Sequence, residues 1–376
     1  MKKALLIAGY TLSALLAVAL VGFTGLVRSS DRIMAPPPPT QVAAVAPGPA
    51  PDHDAGKPTV AVLLGNTRTE ATDFLAPYAM FAESGAYNVY AVAESRAVRT
   101  LAGGVDVVPQ LSFAELEARL GRSPDIVVVP AILHIGSPEN APVLDWLRQQ
   151  GRERTTLFSW CTGAEVLAAS GLIDGETVTT HWGAIGKLER AYPAVTWKRG
   201  VRYVDRGTLL TTGGITAGVD ATLHLLATRN GQAVADKVAS AMHYPASPFV
   251  DHPEMTQYTF GPVDSAVFLN HAFTWPRRQA AVWLYDGVGE VDLSAAIEAY
   301  QLTAAYRAST AAATTAVVSQ HGLQLVPRGQ AGSLPAMDRV LVPGADGAAA
   351  TAARLTDTLA GTGARITLLQ DDRVPT

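Results

Sequence analysis

Ile126-Val127-Val128-Val129 is an unbroken run of β-branched apolar residues, closed by Pro130. A run apolar at every position has no solvent face, so it belongs to a strand covered on both sides, as in a parallel sheet layered with helices. Val60 to Leu64 is a second such run, and Tyr87 to Ala93 and Thr155 to Trp160 read as further strands. Helical spacing falls between them: Pro77 to Ser84 closed by Gly85, Val143 to Gln150, Gly163 to Ser170 stopped at Gly171, and Val219 to Thr228 stopped near Gly231. The alternation predicts an α/β fold, doubly wound and flavodoxin-like, with helices on both faces of a parallel sheet over 59–245.

The segment 279–376 reads as a second, truncated α/β copy. Ala281 to Tyr285 answers Val60 to Leu64, Asp292-Leu293 answers Asp73-Phe74, Gly322 to Pro327 answers Gly104 to Pro109, and Arg339 to Pro343 answers Ile126 to Pro130. Four blocks in one order mark a repeat. Ile366 to Leu369 would answer Thr156 to Ser159, which sets Asp372 near the place of Cys161, so the second copy is expected to lack a nucleophile. The stretch 246–278 is expected to be a Pro-rich connection. His243, Asp251, His252, Glu254 and His271 in and around it are too irregularly spaced for a metal site and fit a polar loop; no metal and no cofactor are expected.

Ahead of the α/β units, Ala4 to Val27 carries no charge and is long enough as a helix to cross about 30 Å of hydrocarbon. It reads as a transmembrane anchor over 1–27, with a cleaved signal peptide as the alternative. Lys2 and Lys3 place the amino terminus in the cytoplasm and the globular part on the extracytoplasmic side. Residues 28–58 are rich in Pro and Ala, with Pro36 to Pro39 consecutive, and predict a linker reaching roughly 90 Å at polyproline geometry. Charge excludes one class of partner: 29 basic against 33 acidic residues give a net charge of -4, and no Lys/Arg block is present to neutralise phosphates, so nucleic acid is not expected.

Cys161 is the only cysteine, which excludes an intramolecular disulfide and a thiolate zinc cage. It stands between the strand ending at Trp160 and the helix beginning near Gly163, at the carboxyl end of a parallel strand. A side chain on such a turn is exposed and meets the positive end of the helix dipole, which predicts a stabilised thiolate unless the site is dry. The alternative is an inert buried cysteine.

The run from Trp160 to Trp182, WCTGAEVLAASGLIDGETVTTHW, together with GTLLTTGGITAGVDATLHLL at Gly207 to Leu226, resembles the ThiJ/PfpI family of the class I glutamine amidotransferase-like superfamily. Within it the sequence is most similar to isonitrile hydratases and to the amino-terminal domain of AraC-type regulators. The resemblance implies that Cys161 is the nucleophile, that Asp73 is the acid facing it, that Thr162 contributes, and that His181 lies near the cysteine. Asp73 also reads as a helix N-cap, Glu70 as a rival carboxylate, and His181 as a structural histidine. Where many members carry Gly-Gly after the strand that ends in proline, this chain has Ala131-Ile132-Leu133, which puts the oxyanion site in question. No helix-turn-helix segment follows the first copy. The expected protein is a membrane-tethered, cysteine-dependent enzyme hydrating a small-molecule isonitrile to an N-substituted formamide; the alternative is a silent ligand-sensing or interaction module. A homodimer is left open as the assembly.

Overall fold

The computed structural model describes residues 2–34, 45–151, 154–273, 278–302, 306–330, 337–345, 347–358 and 364–369. Helix α1 (Lys2–Met34) comes first. The first α/β unit then runs β1 (Thr59–Leu63), α2 (Ala71–Ser84), β2 (Asn88–Ala93), β3 (Arg99–Leu101), β4 (Val105–Val108), β5 (Leu111–Ser112), α3 (Phe113–Leu120) and β6 (Ile126–Val129). It continues with α4 (Ala141–Gln150), β7 (Thr156–Ser159), α5 (Gly163–Ser170), β8 (Thr177–Val178), α6 (Trp182–Ala191), β9 (Thr196–Trp197), β10 (Tyr203–Asp205), β11 (Leu209–Thr212), α7 (Ile215–Asn230) and α8 (Gln232–Ala241). After α9 (Pro262–Phe273) the second unit contains β12 (Arg278–Trp283), α10 (Glu290–Leu302), β13 (Tyr306–Ala312), β14 (Val317–Val318), β15 (Gln324–Val326), β16 (Gly329–Gln330), β17 (Arg339–Val342), α11 (Ala348–Thr358) and β18 (Arg365–Leu368).

The first unit's main sheet has the order β10-β11-β7-β6-β1-β2-β5. Its pairs are parallel except β10 with β11, so the expected parallel sheet carries one antiparallel edge strand. The crossover order β2-β1-β6-β7-β11 is that of flavodoxin-like sheets. Alternate residues of β1 feed opposite faces: Val60 and Val62 pack with Phe74, Met80 and Phe158, while Ala61 and Leu63 pack with Leu147, Val166 and Leu188. That two-sided burial is why the strands carry no polar alternation.

In the second unit the order is β16-β13-β12-β17-β18, all parallel. Its β13-β12-β17-β18 portion repeats the order β2-β1-β6-β7. A four-stranded sheet, β14-β15-β4-β3, joins the two units through antiparallel pairing of β15 with β4. Arg328 ties the same seam by a 2.8 Å ion pair to buried Asp106. One apolar cluster runs from Phe74 and Val107 through Val282 and Leu325, so the two units share a core.

Three local expectations change. Helix α2 begins six residues before Pro77, because Glu70 caps it by accepting the Asp73 N–H at 2.6 Å. Pro77 lies within the helix, and its missing N–H leaves the Asp73 carbonyl without the usual donor four residues on. The end of the linker is not a free tether. Arg96 donates to the Gly48 carbonyl, Arg119 to Pro51 and Tyr90 to Asp52, while Asn88 accepts the Asp54 N–H, so this stretch lies along the first unit. Within 246–278, α9 replaces part of the expected loop and packs against α1, with the Phe273 ring against Gly22. Asp372 lies outside the described residues.

Candidate functional site

The turn after β7 is held by its backbone. Trp160 donates its N–H to the Val129 carbonyl at 3.0 Å, Gly163 donates to the Trp160 carbonyl at 2.7 Å, and between them Cys161 has φ of 51°. A non-glycine residue in the left-handed region costs on the order of 1–3 kcal/mol and persists only where the surroundings impose it. Here β6 imposes it: a Cβ on Gly163 would lie 1.9 Å from the Val129 carbonyl oxygen, so only glycine lets α5 start this close to the neighbouring strand. Thr162 takes the cap position of α5 without a side-chain cap bond.

The carboxyl of Asp73 is fully buried at the front of α2. Its Oδ2 accepts the Ala131 N–H at 3.3 Å, its Oδ1 takes no hydrogen bond of ordinary geometry, and the polar side chains that bear on it are Cys161 and Glu70. Burial raises this carboxyl from 3.8 to about 7, with a further push from the charge of Glu298 on α10, against the hydrogen bonds that favour the anion. Glu70 is pushed well above the usual carboxylate range by burial first, then by Asp73 and Glu298. The Cys161 thiol is pushed well above its ordinary value by burial, then by the charges of Asp73 and Glu70. The expected stabilised thiolate is therefore corrected: the Thr162 N–H favours the anion, but loss of water and neighbouring carboxyl groups outweigh it. The resting pair is a thiol beside a carboxyl that titrates near neutrality.

Asp73 is not the N-cap of its helix; Glu70 is, and its carboxylate also stands next to Asp73. His181 caps α6, its Nδ1 accepting the Gly183 N–H at 3.3 Å, and burial lowers its pKa. No hydrogen bond joins it to Cys161 among the described residues. It lines a cavity of about 340 Å³ with Thr180, Trp182, Gly214 and Tyr258. Thr180 connects that cavity to the turn by donating to the Cys161 carbonyl at 2.9 Å. The loop after Pro130 spends donors on α2 and on the segment ahead of it: Ala131 N–H on Asp73 and Leu133 N–H on the Arg68 carbonyl. Among the described residues no three His, Cys, Asp or Glu side chains gather as a metal site. Glu298 was not singled out by sequence, because only the packing of α10 on α2 brings a side chain 137 positions after Cys161 to this place.

Residues 58–228 match the DJ-1/PfpI family. Over 184 residues the chain is 32% identical to an isonitrile hydratase of Pseudomonas putida, a match covering 48% of this chain and 77% of that protein. The chain belongs to the DJ-1/PfpI family. Another relative is the HTH-type transcriptional regulator CdhR of Pseudomonas aeruginosa, 36% identical over 97 residues, which are 26% of this chain and 29% of the regulator. Among solved structures, a ThiJ/PfpI family protein from Pseudomonas syringae is 23% identical with a TM-score of 0.47, covering 59% of this chain and 95% of that one. DJ-1/PfpI relatives thus include both an enzyme and regulators that bear a DNA-binding class in their names, and the charge argument against nucleic acid stands on composition alone.

Proposed function

We propose that this chain is a cysteine-dependent hydro-lyase of the isonitrile hydratase type. The observation that carries the reading is the juxtaposition of Cys161, held at positive φ on a strand-to-helix turn, with the buried Asp73 carboxyl raised to about 7. In the proposed reaction the Cys161 sulfur attacks the terminal carbon of R–N≡C. The thiol proton passes through Asp73 to that carbon, giving a thioimidate, R–N=CH–S–Cys161. Asp73, again ionised, takes a proton from water as its oxygen adds to the same carbon. The C–S bond then breaks, nitrogen receives one proton, sulfur recovers the other, and R–NH–CHO leaves. Thr162 orients the adduct, and the cavity beside Thr180 and His181 receives R. No cofactor takes part in this scheme.

Further parts of the reading concern placement. The apolar window Gly9–Val27, with mean hydropathy 2.0, supports α1 as an anchor, and α9 beside it leaves Val263, Phe268 and Leu269 exposed. Lys2 and Lys3 support an extracytoplasmic globular part. The shared strand order supports the second unit as a truncated copy of the first. A second reading, a ligand-sensing module, is favoured by the Ala131 N–H, which is spent on Asp73 instead of being free for an oxyanion. The test is hydration of a small alkyl isonitrile by the detergent-solubilised chain, followed by NMR of the formamide, with Cys161→Ser as control. Formamide from the wild type alone supports the enzyme; equal rates from both, or none across a panel of isonitriles, favours the sensing module.

A further inference from the structure

The two units meet in a symmetric way. In the sequence match Val107 answers Leu325, and in the shared sheet these two residues lie opposite each other, with Asp106 opposite Val326 and Val108 opposite Gln324. Exchanging the segments reproduces the same pairs, which is the signature of an isologous, two-fold contact, here between two parts of one chain. Helices α2 and α10, which begin at matched blocks, pack on each other across the same seam. Each sends a carboxylate into the other unit. Glu83 of α2 lies 3.4 Å from His321 Nε2, and Glu298 of α10 accepts the Thr72 hydroxyl at 3.3 Å, one residue before Asp73.

We propose that Glu298, delivered from the second unit across this seam, is a positioning residue for the Cys161–Asp73 pair, set as a third carboxyl group beside Glu70 and Asp73. The inference rests on the reading of Cys161 and Asp73 as the reactive pair. The groups that bear most on Cys161 are Asp73 at the front of α2, Glu70 in the turn before it and Glu298 on α10, all anionic when ionised, and the Thr162 N–H at the start of α5. Glu298 acts on all three of the others in one direction: its negative charge favours the protonated thiol and protonated carboxyl groups. It thereby keeps a proton in the site at neutral pH, available for the substrate carbon. The second unit then contributes chemistry to the first although the cysteine belongs to the first alone.

The experiment is a pH titration of Cys161 alkylation by iodoacetamide, in the full chain, for wild type, Glu298→Gln, Glu298→Asp and Glu83→Gln. Removing the Glu298 charge is expected to move the alkylation midpoint to lower pH and to speed the reaction severalfold at neutral pH. Glu298→Asp is expected to restore most of the wild-type profile, and Glu83→Gln, on the opposite side of the seam, to leave it unchanged. Identical midpoints in wild type and Glu298→Gln overturn the proposal, as does an equal shift in Glu83→Gln, which would mark a general loosening of the seam. Should Glu298→Gln fail to fold, Glu298→Asp against wild type carries the test, because withdrawing the carboxylate by one methylene is expected to move the midpoint slightly to lower pH; a midpoint at or above that of wild type overturns the proposal. Turnover by Cys161→Ala would remove the catalytic reading while leaving the alkylation result standing, so the two failures are distinguishable.

Discussion

Replacing Asp73 by Asn is expected to stabilise the folded chain above neutral pH while abolishing turnover. Asp73 is fully buried, and its carboxyl rises from 3.8 to about 7 on folding. Between those values the folded protein holds a proton that the unfolded chain has released. Stability from this group is thus present in acid and is lost as pH rises through the window, at about 1.4 kcal/mol per pH unit, summing to about 4 kcal/mol at neutrality and beyond. Asparagine is neutral at every pH, can still accept the Ala131 N–H, and offers an amide donor to Glu70, so it escapes that cost. The assay is reversible urea unfolding of both proteins, followed by tryptophan fluorescence, at about pH 5 and about pH 8.5. The variant should be the more stable at the higher pH by up to about 4 kcal/mol, with the gap narrowing in acid. Asp73→Asn also removes the charge that raises Glu70 and the Cys161 thiol, so the difference between the two proteins reports Asp73 together with its coupling to them. A variant less stable than wild type at the higher pH, or a gap that does not change with pH, refutes the argument that burial strains this carboxylate.

Gly163→Ala is expected to cost at least about 2 kcal/mol in the same unfolding assay, since its methyl group would meet the Val129 carbonyl and neither backbone can retreat without moving β6 or α5. Cys161→Ala and Asp73→Asn should each remove nearly all formamide production, and the double variant should be little worse; additive losses in steady-state kinetics would show that the two do not act as one unit. A reporter active only outside the cytoplasm, fused after Gly56, should be active; activity of a cytoplasmic reporter at the same place would overturn the proposed orientation.

Runs without a polar face, such as Ile126–Val129, were sufficient to announce the doubly wound sheet, because burial on both sides leaves no alternative pattern. The turn at Cys161 was legible for a similar reason: a glycine three residues past Trp160, ahead of a helical stretch, is needed where a helix starts against a neighbouring carbonyl. The start of α2 was not legible. Pro77 looks like the first turn of a helix, and only the Glu70 carboxylate reaching the Asp73 N–H shows that the helix begins earlier. The charge state of the site was not legible, because a helix dipole can be read from sequence, whereas the burial and the carboxyl groups of Asp73, Glu70 and Glu298 that oppose it depend on the tertiary packing around the turn. Glu298 was hidden for the same cause. The helix of Pro262–Phe273 was masked by the prolines around it, and its apolar side chains gain meaning only beside α1.

The pairing of β4 with β15 has a consequence for how the protein behaves at low abundance. A site completed by a separate subunit empties as the protein is diluted below its dissociation constant, so its output depends on expression level. Here the contributing surface is carried on the same polypeptide, and the chain between the units holds it at an effective concentration on the order of millimolar or above. Cys161, Asp73 and Glu298 are therefore all present in a single molecule, and the proposed chemistry is expected to scale linearly with copy number from the first copy onward.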